Sequence, residues 1–248
     1  MPGFALTGTP TQMGQSNDPG TSELVRLIDL DEDLAARIPE GDREAARRNL
    51  VAAVHRYEPG SANALEEGFD EECAGLLVLQ GLLSRDVEFA GNRSRELLGE
   101  GDLLRPWDTE KDYMPPFSSA EFTILEPTRV AHLGERMLRL GARWPGFVDE
   151  LLRRAVQRSR WLAIRLAIDG ATRIDDRVIL FLWHAAGRWG RVTSEGVVLP
   201  FKLTHEVLAD LIGAQRPSVT TALTDLRRAG RLEVRDADFL LLGDPPGK

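Results

Sequence analysis

A proline inside an otherwise helical segment constrains the fold of this 248-residue chain more than any other single feature. Pro217 stands between two runs of apolar residues at helical spacing, which end at Ile212 and resume at Val219. Inside a helix a proline costs about 3 kcal/mol, because it removes a backbone donor and its ring clashes with the preceding turn. In the first turn of a helix neither penalty applies. The segment therefore predicts two helices, the second of which begins at Arg216 or Pro217.

The residues on both sides of this break predict a winged helix-turn-helix. Thr204 is a suitable N-cap for a first helix over residues 206–212, which Gly213 ends. The second helix runs to Arg228, and Gly230 ends it. The following stretch, "RLEVRDADFLLL", predicts a β-hairpin. In such a motif the second helix enters the major groove of DNA with its N-terminus first.

The side chains expected to face DNA lie at the start of each helix and in the hairpin. Arg216 can donate two parallel hydrogen bonds to a guanine, which gives about 1–3 kcal/mol of discrimination. The hydroxyls of the second helix can bond to phosphate, and the positive end of the helix dipole faces the DNA backbone. The candidates are Thr204, His205, Gln215, Arg216, Pro217, Ser218, Thr220 and Thr221, with Arg231 and Arg235 of the wing as weaker ones.

The distribution of charge agrees with DNA as the partner of this segment. The net charge of the chain is −8, which by itself disfavours a polyanion as a ligand. Residues 170–248, however, hold 11 basic and 10 acidic residues, whereas residues 1–169 hold 20 and 29. Two amphipathic helices joined by a tight turn are also common in all-α proteins. The hairpin and the local charge balance favour DNA binding over that alternative.

A long helix precedes the predicted winged domain. Pro145 suits its first turn. Six residues then lie alternately four and three positions apart, which is the a/d seam of a coiled coil: Val148, Leu152, Ala155, Ser159, Leu162 and Leu166. A second side carries Leu151, Trp161, Ile164 and Ile168. Two apolar sides predict packing both on the helix's own domain and on a second copy of the chain; a core helix buried within one subunit is the alternative.

The N-terminal half predicts a small antiparallel roll, and the chain as a whole an α+β fold. Residues 1–21 are expected to be a disordered lead, and residues 43–55 a short helix. Strand-like runs follow in "LLVLQGLL" and "DVEFA", and a strand pair is expected from Glu121 to Leu133. The predicted organisation is a roll over residues 22–141, a dimerisation helix over residues 142–168 and a winged domain over residues 169–248.

The segment "LTHEVLADLIGAQRPSVTTALTDLRRAGRLEV" resembles the DNA-binding domain of the CRP/FNR family of transcription regulators. The matching residues are Leu203–Thr204, Glu206, Leu208–Ala209, Gly213, Arg216, Ser218–Val219 and Leu223. The resemblance implies a homodimer on a two-fold symmetric operator, with Arg216 reading a guanine and RNA polymerase as a further partner. The founding member has a glutamate and a second arginine where this chain has Pro217 and Thr221, so a different operator is expected.

The part of the family pattern that binds a cyclic nucleotide is missing. The expected Gly-Glu pair, which binds the ribose, falls on Arg105–Pro106. The expected Arg-Ser pair, which binds the phosphate, falls near Ser118–Ser119. Without a cationic partner a buried cyclic phosphate would be an unpaired charge, which is costly. We therefore expect no binding of cyclic AMP in the usual mode; Arg105 could meet another anion, and the effector stays open.

Other functions find little support in the sequence. The single cysteine, Cys73, excludes a disulfide framework and an iron–sulfur cluster, and no cofactor, metal site or catalytic constellation is predicted. His184 is expected to be structural. No secretory signal or run of about 18 apolar residues is present, which predicts a cytoplasmic protein without a membrane partner. The alternative function is a small-ligand or protein-interaction module whose winged domain does not bind DNA.

Overall fold

The computed structural model describes residues 22–62, 65, 73–105, 118–235 and 238–246. The fold is α+β, as predicted: antiparallel sheets, a long helix and a winged helix-turn-helix follow one another along the chain. The elements before the long helix are β1 (Glu23–Arg26), α1 (Leu27–Leu30), a 3₁₀ turn (Glu32–Ala35), α2 (Glu40–Asn49), β2 (Val51–Tyr57), β3 (Gly60–Ser61), β4 (Leu76–Gln80), β5 (Leu82–Phe89), β6 (Asn92–Gly99), β7 (Leu103–Leu104), β8 (Ser118–Ile124), β9 (Thr128–His132) and α3 (Glu135–Gly141). The lead over residues 1–21 lies outside the described residues.

Two antiparallel sheets form the predicted roll. One has the strand order β1-β2-β9-β4-β7 and the other the order β3-β8-β5-β6. Residues of both sheets meet in one apolar cluster, because alternate side chains of each strand point to the same face. That cluster includes Tyr57, Leu76, Leu83, Leu98 and Phe122. Cys73 is buried just before β4, and its Sγ lies 3.2 Å from the carbonyl oxygen of Leu133.

Two predictions for the roll were wrong. Residues 43–55 are not one helix, because α2 ends at Asn49 and β2 begins at Val51. β2 pairs with β1 and β9, and these long-range ladders override the helical preference of its alanines. The strands from Glu121 to Leu133 exist, but they do not pair with each other. β8 pairs with β5 and β9 with β4, so the chain crosses from one sheet to the other between them.

The long helix α4 (Pro145–Asp169) has one face on the roll and one in solvent. Pro145 occupies its first turn, as predicted. Phe147, Leu151 and Ile168 are buried on the inner face. Ile164 was predicted to share this face, but it is 51% exposed. The adjacent Arg165 is buried instead, because its guanidinium is bonded to Asp169 and lies over the Phe181 ring.

The winged domain follows α4. Its elements are α5 (Ile174–Trp189), β10 (Arg191–Val192), β11 (Val197–Leu199), α6 (His205–Leu211), α7 (Arg216–Arg228), β12 (Leu232–Arg235) and β13 (Asp238–Leu241). The strands form one antiparallel sheet in the order β10-β11-β13-β12, in which β12 and β13 are the predicted hairpin. Its apolar core joins α5, α6, α7 and the sheet, and also includes Leu82 and Leu97 of the roll. The winged domain is therefore packed on the roll.

Candidate nucleic-acid interface

Local sequence signals place the two helices of the motif as predicted. The Oγ1 of Thr204 accepts a hydrogen bond from the backbone N–H of Val207 at 3.1 Å, which caps α6. Gly213 ends α6 with a φ of +60°, a conformation that other residues rarely adopt. Gln215 is the extended N-cap of α7, and Pro217 lies in the first turn of that helix. The proline therefore starts the second helix and does not interrupt it.

The outer face of α7 is polar and exposed. Val219, Ala222, Leu223 and Leu226 are buried on its inner face. The predicted contact residues on the opposite side are all exposed: Gln215, Arg216, Pro217, Ser218, Thr220 and Thr221. Thr204 and His205, at the start of α6, are exposed as well. We call these eight residues the reader surface.

One contact ties the two helices together at the reader surface. The Nδ1 of His205 lies 2.9 Å from the Oγ1 of Thr220. The Thr220 hydroxyl also lies 3.1 Å from the carbonyl oxygen of Arg216, to which it can donate, and the donor between Nδ1 and Thr220 depends on the His205 tautomer. The sequence identified both residues as candidates but not their contact. A pair 15 positions apart across a turn leaves no periodic signal.

The threonines of α7 are already engaged with their own helix. The hydroxyl of Thr221 donates to the carbonyl oxygen of Pro217 at 3.2 Å, and that of Thr224 donates to Thr220 at 2.9 Å. A hydroxyl in this arrangement uses its only hydrogen in the bond to the helix carbonyl, but its oxygen can still accept a hydrogen bond. Donation from Thr220 or Thr221 to a phosphate would first require the hydroxyl to leave the helix carbonyl. Acceptor and methyl contacts need no such change.

The arginines of the winged domain differ in their partners. Arg216 has no carboxylate partner among the described residues. Arg235, by contrast, bonds to Glu195 and lies 2.7 Å from the carboxylate of Glu233. Arg231 is only partly exposed. The structure therefore leaves Arg216 available to an external anion, whereas Arg235 would have to exchange partners.

A set of arginines that the sequence did not single out lies where the roll, α4 and α5 meet. The carboxylate of Asp31 takes two hydrogen bonds from Arg154, at 2.5 and 2.9 Å, and that of Glu96 takes two from Arg158, both at 3.0 Å. Arg188 lies 2.9 Å from Asp102. We call these three ion pairs the junction. They border a cavity of about 600 Å³ that also exposes Gln80, Gln157, Trp161, Trp189 and Phe201.

Burial governs the protonation of Asp102 in the junction and of His184 nearby. Asp102 is 3% exposed, and burial raises the pKa of its carboxyl although Arg188 and the Gly99 N–H favour the charged form. His184 stacks on Trp161 with a centroid distance of 3.4 Å. Burial, followed by the nearby Arg165 cation, lowers the pKa of His184 to about 4, so the ring is neutral near pH 7. His184 is thus a neutral ring stacked on Trp161, and its structural role stays a prediction.

The structure describes only some of the residues that fall at the positions of the nucleotide-binding cassette. Arg105 is exposed after β7, and Ser119 is exposed in β8. Pro106 and the side chain of Ser118 lie outside the described residues. Within the described ranges no group of three or more His, Cys, Asp or Glu residues could hold a metal ion. In the same ranges no helix is both long and apolar enough to cross a bilayer.

Comparisons with known proteins agree with this geometry. Residues 176–247 match the Crp-like helix-turn-helix domain. A mutant of CooA from Carboxydothermus hydrogenoformans is 21% identical, with a TM-score of 0.58 over 77% of this chain and 83% of that one. FixK2 from Bradyrhizobium japonicum is 18% identical, with a TM-score of 0.56 over 77% and 92%. TTHB099, a CRP-family transcriptional regulator from Thermus thermophilus, is 20% identical, with a TM-score of 0.55 over 76% and 91%. None of the curated proteins matches the sequence.

Proposed function

We propose that this chain is a sequence-specific DNA-binding regulator that binds a palindromic operator as a homodimer. Residues 176–247 match a Crp-like helix-turn-helix domain, and the fold is that of CRP/FNR-type transcription regulators. The observation that carries the proposal is the reader surface. It combines an exposed arginine without a carboxylate partner among the described residues, exposed hydroxyls and a helix N-terminus. That combination suits phosphate and base contacts in a major groove.

The exposed seam of α4 supports the homodimer. Val148, Leu152 and Leu166 are 45%, 62% and 74% exposed. Ala155 and Ser159 are exposed as well, and Leu162 is half-buried. In a single subunit this a/d stripe would stay in water, whereas a second copy of α4 would bury it by knobs-into-holes packing. Regulators of this type bind DNA and are typically dimeric.

The remaining parts of the proposal concern partners and effectors. A regulator of this kind acts on transcription, so RNA polymerase is a further partner and the cytoplasm its location. The match of residues 176–247 to a Crp-like helix-turn-helix domain supports DNA binding, and not catalysis, as the proposed activity. The departures from the nucleotide cassette at Arg105–Pro106 and Ser118–Ser119 favour a protein that does not bind cyclic AMP in the usual mode.

The proposal can be tested by mapping the genomic fragments that the full chain binds at moderate salt. We expect one class of palindromic site, with half-sites one helical turn apart and an affinity about 10³-fold or more above random DNA. Equal affinity for all fragments would contradict sequence specificity. Saturable stabilisation by a small molecule with no binding of DNA would instead favour the ligand-binding module.

The homodimer has its own test. Leu152→Arg should yield monomers in sedimentation experiments and should lose the preference for palindromes over single half-sites. Leu24→Arg is the matched control, since Leu24 is 76% exposed but lies on β1 and not on the a/d seam of α4. A dimeric Leu152→Arg protein with an unchanged preference would place the dimer interface elsewhere.

A further inference from the structure

One arginine of the roll forms an ion pair with the first helix of the DNA-binding motif. The Nε of Arg95, on β6, donates to the carboxylate of Asp86 on β5 at 2.6 Å. The other side of the same guanidinium lies 2.9 Å from the carboxylate of Asp210, on α6. The Arg95 side chain is only 19% exposed, whereas that of Asp210 is 47% exposed. Arg95 therefore bridges a fixed strand of the roll and the helix-turn-helix.

This bridge is part of a larger contact between the roll, α4 and the winged domain. Leu82 and Leu97 of the roll belong to the same apolar cluster as the core of the winged domain. The backbone carbonyl of Arg95 accepts a weak hydrogen bond, 3.5 Å long, from Arg165 of α4. The seam helix, the roll and the helix-turn-helix thus meet around Arg95. We call the Arg95–Asp86–Asp210 contact the brace.

The brace leaves the reader surface free. Asp210 lies in the last turn of α6, whereas the DNA-facing residues of that helix, Thr204 and His205, lie at its start. Arg216 and Thr220 of α7 are exposed while the brace is formed. Bound DNA and the brace therefore do not compete for the same side chains.

The covalent link between α4 and the winged domain is short, but it does not by itself fix the rotation of the winged domain relative to α4. Only residues 170–173 separate α4 from α5. In a dimer joined along α4, the separation of the two α7 N-termini depends on how each winged domain is rotated about this link. That separation must match the spacing of the two half-sites of a palindrome. A contact that fixes the rotation therefore selects a spacing.

We propose that Arg95 is a positioning residue: through Asp210 it fixes the helix-turn-helix relative to α4 and so sets the half-site spacing that the dimer recognises. The inference rests on the proposed function as a dimeric DNA-binding protein. The roll would then influence which operator the dimer binds by positioning the helix-turn-helix, and this effect would require no bound small molecule. The sequence did not indicate it, because Asp210 lies far along the chain from Asp86 and Arg95.

The experiment uses the full chain and a series of operators whose two half-sites are separated by spacers that differ by single base pairs. The unmodified protein should prefer one spacing by about tenfold or more over its neighbours. In Asp210→Asn and Arg95→Gln this preference should fall to about threefold or less, because loss of one coupled contact relaxes the rotation. Affinity for a single half-site should stay within about twofold, since the reader surface is unchanged.

Two controls separate the brace from general damage. Arg93→Gln removes a cation on the same strand that pairs with Glu88 inside the roll, and it should keep the sharp spacing preference. The double variant Arg95→Gln/Asp210→Asn should show no more loss than Arg95→Gln alone, because both changes remove the same bridge. Asp210→Asn is the milder change, since it leaves the Arg95–Asp86 pair in place.

The outcomes distinguish this inference from the proposed function. If the unmodified chain binds no DNA selectively, the proposed function itself fails. If it selects a spacing and both brace variants select it equally sharply, only the role of Arg95 is overturned. Tighter binding by the variants at every spacing would also overturn it, because the brace would then oppose DNA binding and not position it.

Discussion

The arginines of the junction and the arginine of the reader surface have the same chemistry but opposite surroundings. Arg154, Arg158 and Arg188 each lie against a carboxylate of the roll. Arg216 is exposed on α7 with no carboxylate partner among the described residues. A cation already paired inside the protein stabilises the fold, whereas an unpaired one on the surface can serve an external anion. Partners, and not residue type, separate the two roles.

Charge compensation also matters inside the roll. Arg188 and the Gly99 N–H, 2.8 Å from Oδ2, compensate the buried carboxylate of Asp102 for lost hydration, and the charge of Arg158 adds to this. Breaking such a pair is costly because the remaining charge stays buried. Removing an exposed cation leaves nothing uncompensated. The junction and the reader surface should therefore respond to mutation in different measurements, the first in stability and the second in DNA binding.

The largest effect is expected at the junction. Arg188→Met should lower the free energy of unfolding by about 3–5 kcal/mol, because Asp102 would be left buried without its cation. Urea unfolding at pH 7 measures the loss. Arg188→Met/Asp102→Asn should recover most of it, since a neutral amide oxygen can still accept from Gly99. Equal instability of the single and double variants would show that packing of Arg188 on Trp189, and not charge, is what was lost.

The next effect is a pH dependence. His184 has a folded-state pKa of about 4, below its unfolded value near 6.5, so the unfolded chain binds the proton more readily. The stability is fully present above pH 6.5 and decreases as the pH falls towards 4, by about 2–3 kcal/mol for this one group. His184→Phe keeps a ring beside Trp161 but removes the titrating group. It should reduce the change of the urea unfolding midpoint with pH between about pH 6.5 and 4.5. If the midpoint of His184→Phe changed with pH as steeply as that of the unmodified chain, other groups would cause the pH dependence.

Arg216 should give a smaller change in energy, confined to DNA. Arg216→Ala should relax the preference at one base pair of each half-site, at a cost of about 1–3 kcal/mol, while urea unfolding stays unchanged. Selection from randomised operators measures the preference. Arg235→Ala is the matched control, because its cation is already paired with Glu195 and Glu233. If Arg235→Ala changed the site preference as strongly as Arg216→Ala, pairing would not be what distinguishes reading arginines.

The smallest effect tests whether the reader surface also contributes to stability. Thr204→Ala removes the side-chain acceptor of the Val207 N–H and should cost about 1 kcal/mol of stability. Thr204→Asp restores an acceptor and should recover it, but should weaken DNA binding because a carboxylate repels phosphate. Thermal unfolding and a DNA titration of the two variants separate capping from contact. Equal DNA affinity of Thr204→Ala and Thr204→Asp would remove Thr204 from the contact set.

The parts of the fold that the sequence predicted depend on local chemistry. Gly213, Pro217 and Gly230 each demand a particular backbone geometry, so the limits of α6 and α7 follow from residues a few positions away. The a/d spacing of α4 is equally local. The errors concern long-range pairing: β2 is a strand because β1 and β9 flank it. The candidate contacts were individually predicted, but the contact between His205 and Thr220 was not.

The sequence by itself therefore determined the winged helix-turn-helix, the position of Arg216 at the start of its second helix and the apolar seam, because each depends on neighbours within one or two turns of the chain. Only the tertiary structure decided which arginines are paired. Arg154 lies 123 residues from Asp31, and Arg158 lies 62 from Glu96. No periodicity connects residues so far apart. Whether a cation serves the fold or remains available to DNA is decided when the sheets and helices pack.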